Sequence, residues 1–290
     1  MTSLRKLLLN KLVARAPTRA FRLSAEKLGV SQVTIRLEEE SPLFRPDGGE
    51  TLELPLDDVI APWILDHGSW QLEELDFIVE HAPRGPFVLF DIGANIGLVT
   101  RQLMHRLPHI AFAVCYEPHP GHFQVLSRNL AHLKNCCLVQ VAIGPHAGEL
   151  QFYEDVHNSG NYSLTVEAME GNTYRKRTVR CMPARDDELL GRLPTDAADL
   201  PIVWKSDTQG FDEAIVTSLS KEFWKRVSVA AMEISRINKP EFVDSTLAEI
   251  LELFPVRRFG GEPELLSVSD VMQFARGSGG PHKDLLLAKN

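Results

Sequence analysis

The run Phe87-Val88-Leu89-Phe90-Asp91-Ile92-Gly93-Ala94-Asn95-Ile96-Gly97 constrains the fold more than any other part of the chain. Four consecutive apolar residues with no polar alternation read as a strand buried on both faces, the kind found in parallel sheets. The acid and the glycines that follow mark a tight turn, because glycine lets a backbone approach its neighbours closely. A helix is expected from about Ile96 to Arg106, ended by Pro108. Such a strand needs strands beside it and helices above and below it, so the rest of the chain must supply them.

The downstream sequence has that rhythm. Ala111 to Tyr116 reads as a second strand closing on Glu117, and Pro118 and Pro120 open a helix through Phe123, Leu126 and Leu130 to about Leu133. Cys137 to Ile143 reads as a third strand, completing β-α-β-α-β. Glu149 to Tyr153 alternates like an edge strand, Asn158 to Ser163 is a polar loop suited to covering a site, and Thr178 to Met182 suggests another strand. Ile202 to Lys205 is a fourth core strand running into Ser206 and Asp207, with a helix from about Phe211 to Leu219. Val227 to Ile234 is a fifth, followed by a helix over Glu241 to Leu253 and a last strand over Leu285 to Lys289. The expected architecture is α/β: a Rossmann-like, mostly parallel seven-stranded sheet with helices on both faces. Residues 1–80 lack the rhythm and are expected to form an N-terminal helical and cap segment with a small hairpin, leaving 81–290 as the main domain.

Charge narrows the partners. The net charge is −8 and the isoelectric point about 5.7, which argues against a large nucleic-acid footprint and for a small acceptor. No apolar run is long enough to span a bilayer, and a cytoplasmic protein is expected. Cys115, Cys136, Cys137 and Cys181 form no CxxC pair and have no histidine at zinc spacing, so reduced core thiols are expected. The amino terminus is the exception, with Arg5, Lys6, Lys11, Arg15, Arg19 and Arg22 all preceding the first acid at Glu26. Leu4, Leu7, Leu8 and Leu12 give residues 3–15 an apolar stripe beside those charges. Three readings stay open: a helix packed on its own domain or on a second subunit of a homo-oligomer, a peripheral membrane contact, and a removed transit peptide.

The runs VLFDIGANIG, YEPHP, LVQVAIG and IVWKSDTQGFDEAIV together resemble the FkbM family of S-adenosylmethionine-dependent methyltransferases, over roughly residues 70–235 with an echo in DLLLAKN. The most particular part is Lys205-Ser206-Asp207-Thr208-Gln209-Gly210-Phe211-Asp212, and the Asn and Ser-rich segment Asn158-Ser159-Gly160-Asn161-Tyr162-Ser163 adds to it. The chain departs from the family at Ala184-Arg185-Asp186-Asp187, where members usually carry Thr-Leu-Asp-Asp. The resemblance implies a Rossmann-like methyltransferase fold and O-methylation, often of sugar hydroxyls in glycans or secondary metabolites.

The donor would be S-adenosylmethionine, with S-adenosylhomocysteine as product. Asp91 is then placed to answer its cationic end directly or through water, and Gly93, Ala94, Asn95 and Gly97 form the turn beneath its amino-acid moiety. Glu117, 26 residues after Asp91, is suited to accept both ribose hydroxyls. Ala142 and Ile143 would border the adenine.

Methyl transfer to a hydroxyl calls for positioning and a base. Asp207, at the end of the fourth strand, is the first choice for that base, against a plain helix-capping role. Lys205, on the same strand face, would orient or charge-balance it. A divalent ion at Asp207 is the weaker alternative, because no cluster of His and carboxylates accompanies it. On the acceptor side His119, His157, Asn161, Tyr162 and Glu233 are the candidates, with His122 as a further base. Trp63, Trp70 and Tyr162 are suited to stack on a sugar ring, with core packing as the competing fate of the tryptophans. Competing functions are a catalytically inactive S-adenosylmethionine-binding module, a methyltransferase with a non-sugar acceptor, and a dinucleotide oxidoreductase, which the four-residue glycine spacing disfavours.

Overall fold

The computed structural model describes residues 32–37, 39, 41, 43, 49–57, 59–166, 169, 173–235, 245–277 and 282–290. The basic amino-terminal stretch, with its three readings, lies outside them.

Strands β1 (Gln32–Arg36) and β2 (Thr51–Pro55) form the antiparallel pair, followed by helices α1 (Ile60–His67) and α2 (Leu72–His81). Then come β3 (Phe87–Ile92), α3 (Leu98–Arg106), β4 (Ile110–Tyr116), α4 (Pro120–Asn129) and β5 (Cys136–Val139). The middle of the chain holds β6 (Ala142–Gly144), β7 (Gly148–Asp155), β8 (Tyr162–Ser163), β9 (Tyr174–Pro183) and α5 (Asp186–Leu190). The last part holds β10 (Ile202–Ser206), α6 (Asp212–Ser218), α7 (Lys221–Arg226), β11 (Val227–Ile234), α8 (Ser245–Leu251), β12 (Val256–Phe259), α9 (Val268–Ala275) and β13 (Lys283–Ala288).

Seven strands build the Rossmann-like central sheet in the order β12-β13-β11-β10-β3-β4-β5, parallel except where β13 runs against both neighbours. The period of two explains why β3 reads as continuously apolar. Val88, Phe90 and Ile92 pack on one face with Trp204, Phe223 and Ile215, while Phe87 and Leu89 pack on the other with Phe77, Ile78 and Leu103. The chain leaves β3 toward β4 and β5, then returns to β10 on the opposite side. The carboxyl ends of β3 and β10 are therefore the point where strand order reverses and a crevice must open.

Four features differ from the sequence expectation. The run expected as one third strand is two: Cys136–Val139 pairs with β4, whereas Ala142–Gly144 belongs to a second, four-stranded sheet of order β6-β9-β7-β8. Val141 N–H donates back to Val139 O at 3.0 Å, so the chain bends sharply between the two halves. Both halves are covered by apolar neighbours, which hides the break from pattern reading. Strand β12 escaped notice because Arg257 and Arg258 interrupt it, although Arg257 spends its guanidinium on main-chain carbonyls such as Leu266 O. Helix α9 begins with a Ser267/Asp270 capping box that a closer sequence reading detects. Helix α2 ends at the expected domain boundary, yet Leu75, Phe77 and Ile78 pack on the central sheet rather than with the hairpin. The hairpin and α1 instead form their own cluster against Ile96, Leu98 and Val125. Of the helix expected over Glu241 to Leu253, residues 241–244 lie outside the described residues. The four cysteines are free, and among the described residues no helix is long and apolar enough to cross a membrane.

Candidate functional site

Two open chambers meet at the carboxyl ends of β3 and β10. The first, with about 820 Å³ of open space, runs over the ends of β10, β3 and β4 to the small sheet at β6. The second, about 1060 Å³, lies on the far side of Asp207 toward the ends of β11 and β13. Trp70, Gln71, Gly160, Asp207 and Gln209 line both and form the waist between them.

The turn after β3 is fixed from two sides. Gly93 and Ala94 N–H both donate to Tyr116 O, at 3.0 and 2.9 Å, and Asp207 N–H donates to Ile92 O at 3.0 Å. Gly93 has φ +76°, and a Cβ there would stand 2.1 Å from the Asp207 carbonyl oxygen. Only glycine lets the turn and the end of β10 touch backbone to backbone. Gly97, expected beneath the ligand, does not line either chamber. Its glycine requirement comes from φ +85° at the start of α3 and from Leu126 and Leu130 of α4, which a Cβ would meet at 2.8 and 3.0 Å.

Glu117 lines the first chamber at the end of β4 and is 4% exposed. Its carboxylate accepts from Asn95 N–H at 2.9 Å and His119 N–H at 2.8 Å. Burial pushes its pKa up to about 7, against the pull of those amides. Asn95 sits on left-handed backbone at φ +49°, and its side-chain amide donates to Ser159 O at 3.1 Å. Its Oδ1 is buried with no hydrogen-bond partner, an acceptor left for a donor in the chamber. Ser159 in turn donates its N–H and hydroxyl to Asp57, so the hairpin segment pins the loop over the chamber.

Asp91 departs from the expectation of direct ligand contact. It is fully buried and lines neither chamber; Thr100 Oγ1 donates to its Oδ2 at 2.6 Å, and Lys205 Nζ stands 3.5 Å from Oδ1. Lys205 lines the first chamber. Burial works against its charge, but the carboxylates of Asp91, Asp207 and Asp212 outweigh it and hold its pKa above the ordinary value.

Asp207 is no helix cap. Phe211 occupies the cap position of α6, and Asp212 accepts from Thr208 N–H and Oγ1 at 3.0 and 2.6 Å. The Asp207 carboxylate lies at the waist, accepting from Gln71 Nε2 at 2.9 Å and Gln209 Nε2 at 2.6 Å.

The candidates for the acceptor side separate. Glu233 and Asn161 line the second chamber. Glu233 accepts from Gly210 N–H at 3.1 Å and Gln209 Nε2 at 3.2 Å, and burial and the nearby Asp207 push its pKa well up. Tyr162 lines the first chamber instead, stacked on His122 at 4.6 Å. His119 lines neither: its ring caps α4 by accepting from His122 N–H at 3.1 Å and faces Glu154 at 3.3 Å. His157 is exposed and outside both chambers. His122 lines the first chamber, and burial drops its pKa to about 3, which keeps it neutral and removes it as a base. Ala142, though on the small sheet, forms the first chamber's far wall with Ile143 and Phe152. Trp70 lines both chambers, while Trp63 is 47% exposed and stacks on His67 outside them. Asp186, in the stretch that departs from the FkbM pattern, accepts from Ser220 N–H and lies apart from both chambers.

Among the lining residues not singled out as site candidates from sequence are Gln71, Gln209, Ser235, His282 and Asp284. Only Gln209, inside KSDTQGFD, carried a signal. Burial and a hydrogen bond with Glu74 push the Asp284 pKa up to about 8. The second chamber is lined by three carboxyl groups and by no lysine or arginine among the described residues. Also among them, no group of three or more His, Cys, Asp or Glu is arranged to hold a metal.

No family model matches this chain, and no curated protein does. Solved structures similar to it include methyltransferase FkbM from Methylobacillus flagellatus KT, 13% identical over 70% of this chain and 43% of that one, with a TM-score of 0.39. The chain thus spans less than half the length of that protein. SMU.1697c from Streptococcus mutans, in complex with SAH, is 10% identical over 74% and 95% of the two chains, with a TM-score of 0.40. An rRNA methylase from Streptococcus thermophilus is 12% identical over 74% and 93%, with a TM-score of 0.37. At identities and TM-scores this low the likeness says nothing of cofactor or acceptor.

Proposed function

We propose that the chain is an S-adenosylmethionine-dependent methyltransferase of the FkbM kind, methylating a hydroxyl of a saccharide or other small molecule. The observation that carries this reading is convergence: the Gly93 turn, Glu117 and Asp207, remote in sequence, open on one cleft at the reversal point of the sheet.

The residues of the first chamber suit that donor. Glu117 keeps a free lone pair on each oxygen for the two ribose hydroxyls, and the unpartnered Asn95 Oδ1 suits a cationic or hydroxyl donor. Ala142, Ile143, Phe152 and Tyr162 offer an apolar and aromatic wall for a purine. When bound, the donor supplies an electrophilic methyl on a sulfonium. With that donor in place, Asp207 at the waist would take the proton of an acceptor hydroxyl held in the second chamber. Lys205 charge-balances the carboxylates of Asp91 and Asp207. Glu233, Asn161 and Ser235 present hydrogen-bonding groups to the acceptor. The second chamber, with no lysine or arginine in its lining among the described residues, offers no counter-charge to a phosphate-bearing acceptor, nucleic acid included.

The test is calorimetry of the purified chain with S-adenosylmethionine, S-adenosylhomocysteine and NAD, followed by S-adenosylhomocysteine release across neutral, cationic and phosphorylated acceptors. Binding of the first two ligands and turnover on a neutral or cationic hydroxyl acceptor are expected. Binding without turnover on any acceptor would favour the inactive module, and binding of NAD alone would overturn the assignment.

A further inference from the structure

The waist between the chambers contains a device the proposed chemistry does not by itself require. The Asp207 carboxylate is held on both oxygens by side-chain amides from two remote parts of the chain. Gln71, between α1 and α2, donates to Oδ2 at 2.9 Å, and Gln209, two residues past Asp207, donates to Oδ1 at 2.6 Å. Both glutamines sit on left-handed backbone, at φ +48° and +52°. Among the described residues there are three such non-glycine positions, Gln71, Asn95 and Gln209, and all three line the first chamber. Left-handed backbone is costly for a side chain with a Cβ and persists only where the surroundings impose it.

The surroundings do impose it. Gln102, fully buried on α3, accepts from Trp70 N–H at 3.3 Å and donates to Trp70 O at 3.0 Å, clamping the residue before Gln71. Leu75 N–H, in the first turn of α2, donates to Gln71 O at 3.2 Å and fixes the other side. At Gln209, Ser163 Oγ donates to the carbonyl oxygen at 2.5 Å, and Gly210 N–H donates to Glu233 at 3.1 Å. Glycine would occupy both positions without strain, so the side chain is what the strained backbone serves.

We propose that Gln71 and Gln209 are positioning residues for Asp207, holding its carboxylate edge-on to the waist so that the remaining lone pair of each oxygen faces an incoming hydroxyl. The proposal rests on the reading of Asp207 as the base. Each amide takes one lone pair and together they block rotation about the Cβ–Cγ bond. Misplacement of a base costs rate rather than affinity. The charged and titratable neighbours of Asp207 are Lys205 on its own strand, Asp212 on α6, Glu233 on β11 and Asp284 on β13. Gln71 also makes the segment preceding the sheet a contributor to the reacting end of the site.

The experiment compares Gln71→Gly, Gln71→Met and Asp207→Asn in the full chain. Gln71→Gly relieves the left-handed strain and should melt at or above the wild-type temperature with S-adenosylhomocysteine affinity unchanged. On the acceptor that the wild type turns over, kcat should fall by about 10- to 100-fold. The acceptor KM should stay at the wild-type value, so that the loss falls on kcat. Gln71→Met should share the kinetic loss without the gain in melting temperature. Wild-type kcat in a folded Gln71→Gly, with Asp207→Asn inactive, overturns the clamp alone. Normal turnover in Asp207→Asn overturns the base reading and the clamp with it. A crystal structure of Gln71→Gly decides independently of any acceptor: a rotated or split Asp207 carboxylate supports the proposal, and an unmoved one overturns it.

Discussion

The two chambers that meet at Asp207 are made of different material. The first is framed mainly by strand ends and the β3–α3 turn, where Glu117 accepts from main-chain amides, and is closed by Ser159, Gly160 and Tyr162 of the loop and by Trp70 and Gln71. The second is walled by the loop carrying Asn158 and Asn161, by the ends of β11 and β13, and by Val59 and Trp70 from the segment before the sheet. A rigid frame suits a ligand that never changes, whereas loops carry the contacts by which one fold serves many substrates. On the proposed function, donor recognition falls to the first chamber and acceptor choice to the second, with Asp207 acting on rate alone.

The strongest way to break that division is Asp207→Asn. Turnover should drop by roughly 10²- to 10⁴-fold, the range for loss of a general base, while calorimetric affinity for S-adenosylhomocysteine stays at the wild-type level. A collapse of affinity would mean that the waist belongs to the donor chamber. Glu117→Ala probes the opposite side and should weaken S-adenosylhomocysteine binding by about 1.5 to 3 kcal/mol, about 10- to 150-fold, through loss of hydrogen bonds to a charged group. Unchanged affinity in a folded variant would remove Glu117 from the donor site.

The protonation of Glu117 sharpens the contrast further. Its pKa in the free fold is about 7, raised from 4.5 by burial. Ribose hydroxyls donate best to the anion, so binding must expel the proton whenever the pH lies below about 7. Affinity is then full above that value and falls by up to about tenfold per unit as the pH drops through it. For stability the sign is reversed. The unfolded chain ionises near 4.5 while the fold retains the proton, so this group's contribution declines as pH rises from 4.5 to about 7. Glu117→Gln should flatten the binding profile, which separates this carboxyl from Asp284 and Glu213, whose pKa values burial pushes up to about 8. A slope that survives in Glu117→Gln would assign the titration elsewhere.

The same contrast explains what could be read from sequence. The central sheet was legible because strands buried on both faces, such as Phe87–Ile92 and Val227–Ile234, alternate with helices. Glu117 and Asp207 were legible as neighbours of one cleft because each ends a strand flanking the sheet's reversal. What a motif residue does was less legible than where it lies. Asp91 and Gly97 belong to the turn motif, yet one is buried against Thr100 and Lys205 and the other serves helix packing, and residue type alone does not separate these roles from ligand contact. His119 and His122 are three residues apart with the same chemistry, and only the fold puts one at a helix cap and the other in the chamber wall. Gln71 reaches Asp207 across 136 positions, with no periodicity to announce it. The second chamber was correspondingly hard to read, because loops and isolated side chains carry no repeating pattern.

Gly97→Ala offers the smallest effect and the finest division between motif and site. The new Cβ would occupy left-handed backbone at φ +85° and press on Leu126 Cδ1 at 2.8 Å and Leu130 Cγ at 3.0 Å. Leucine side chains can yield by a few tenths of an ångström, so the change should destabilise the fold by about 1 to 3 kcal/mol rather than prevent folding. Thermal unfolding should register this as a loss of several degrees. Helix α4, which carries Leu126 and Leu130, starts beside Glu117 but meets the first chamber through His122 at its opening turn. S-Adenosylhomocysteine affinity measured below the melting transition should therefore match the wild type. A folded Gly97→Ala with the affinity loss expected of Glu117→Ala would return Gly97 to the ligand and add it to the first chamber's lining.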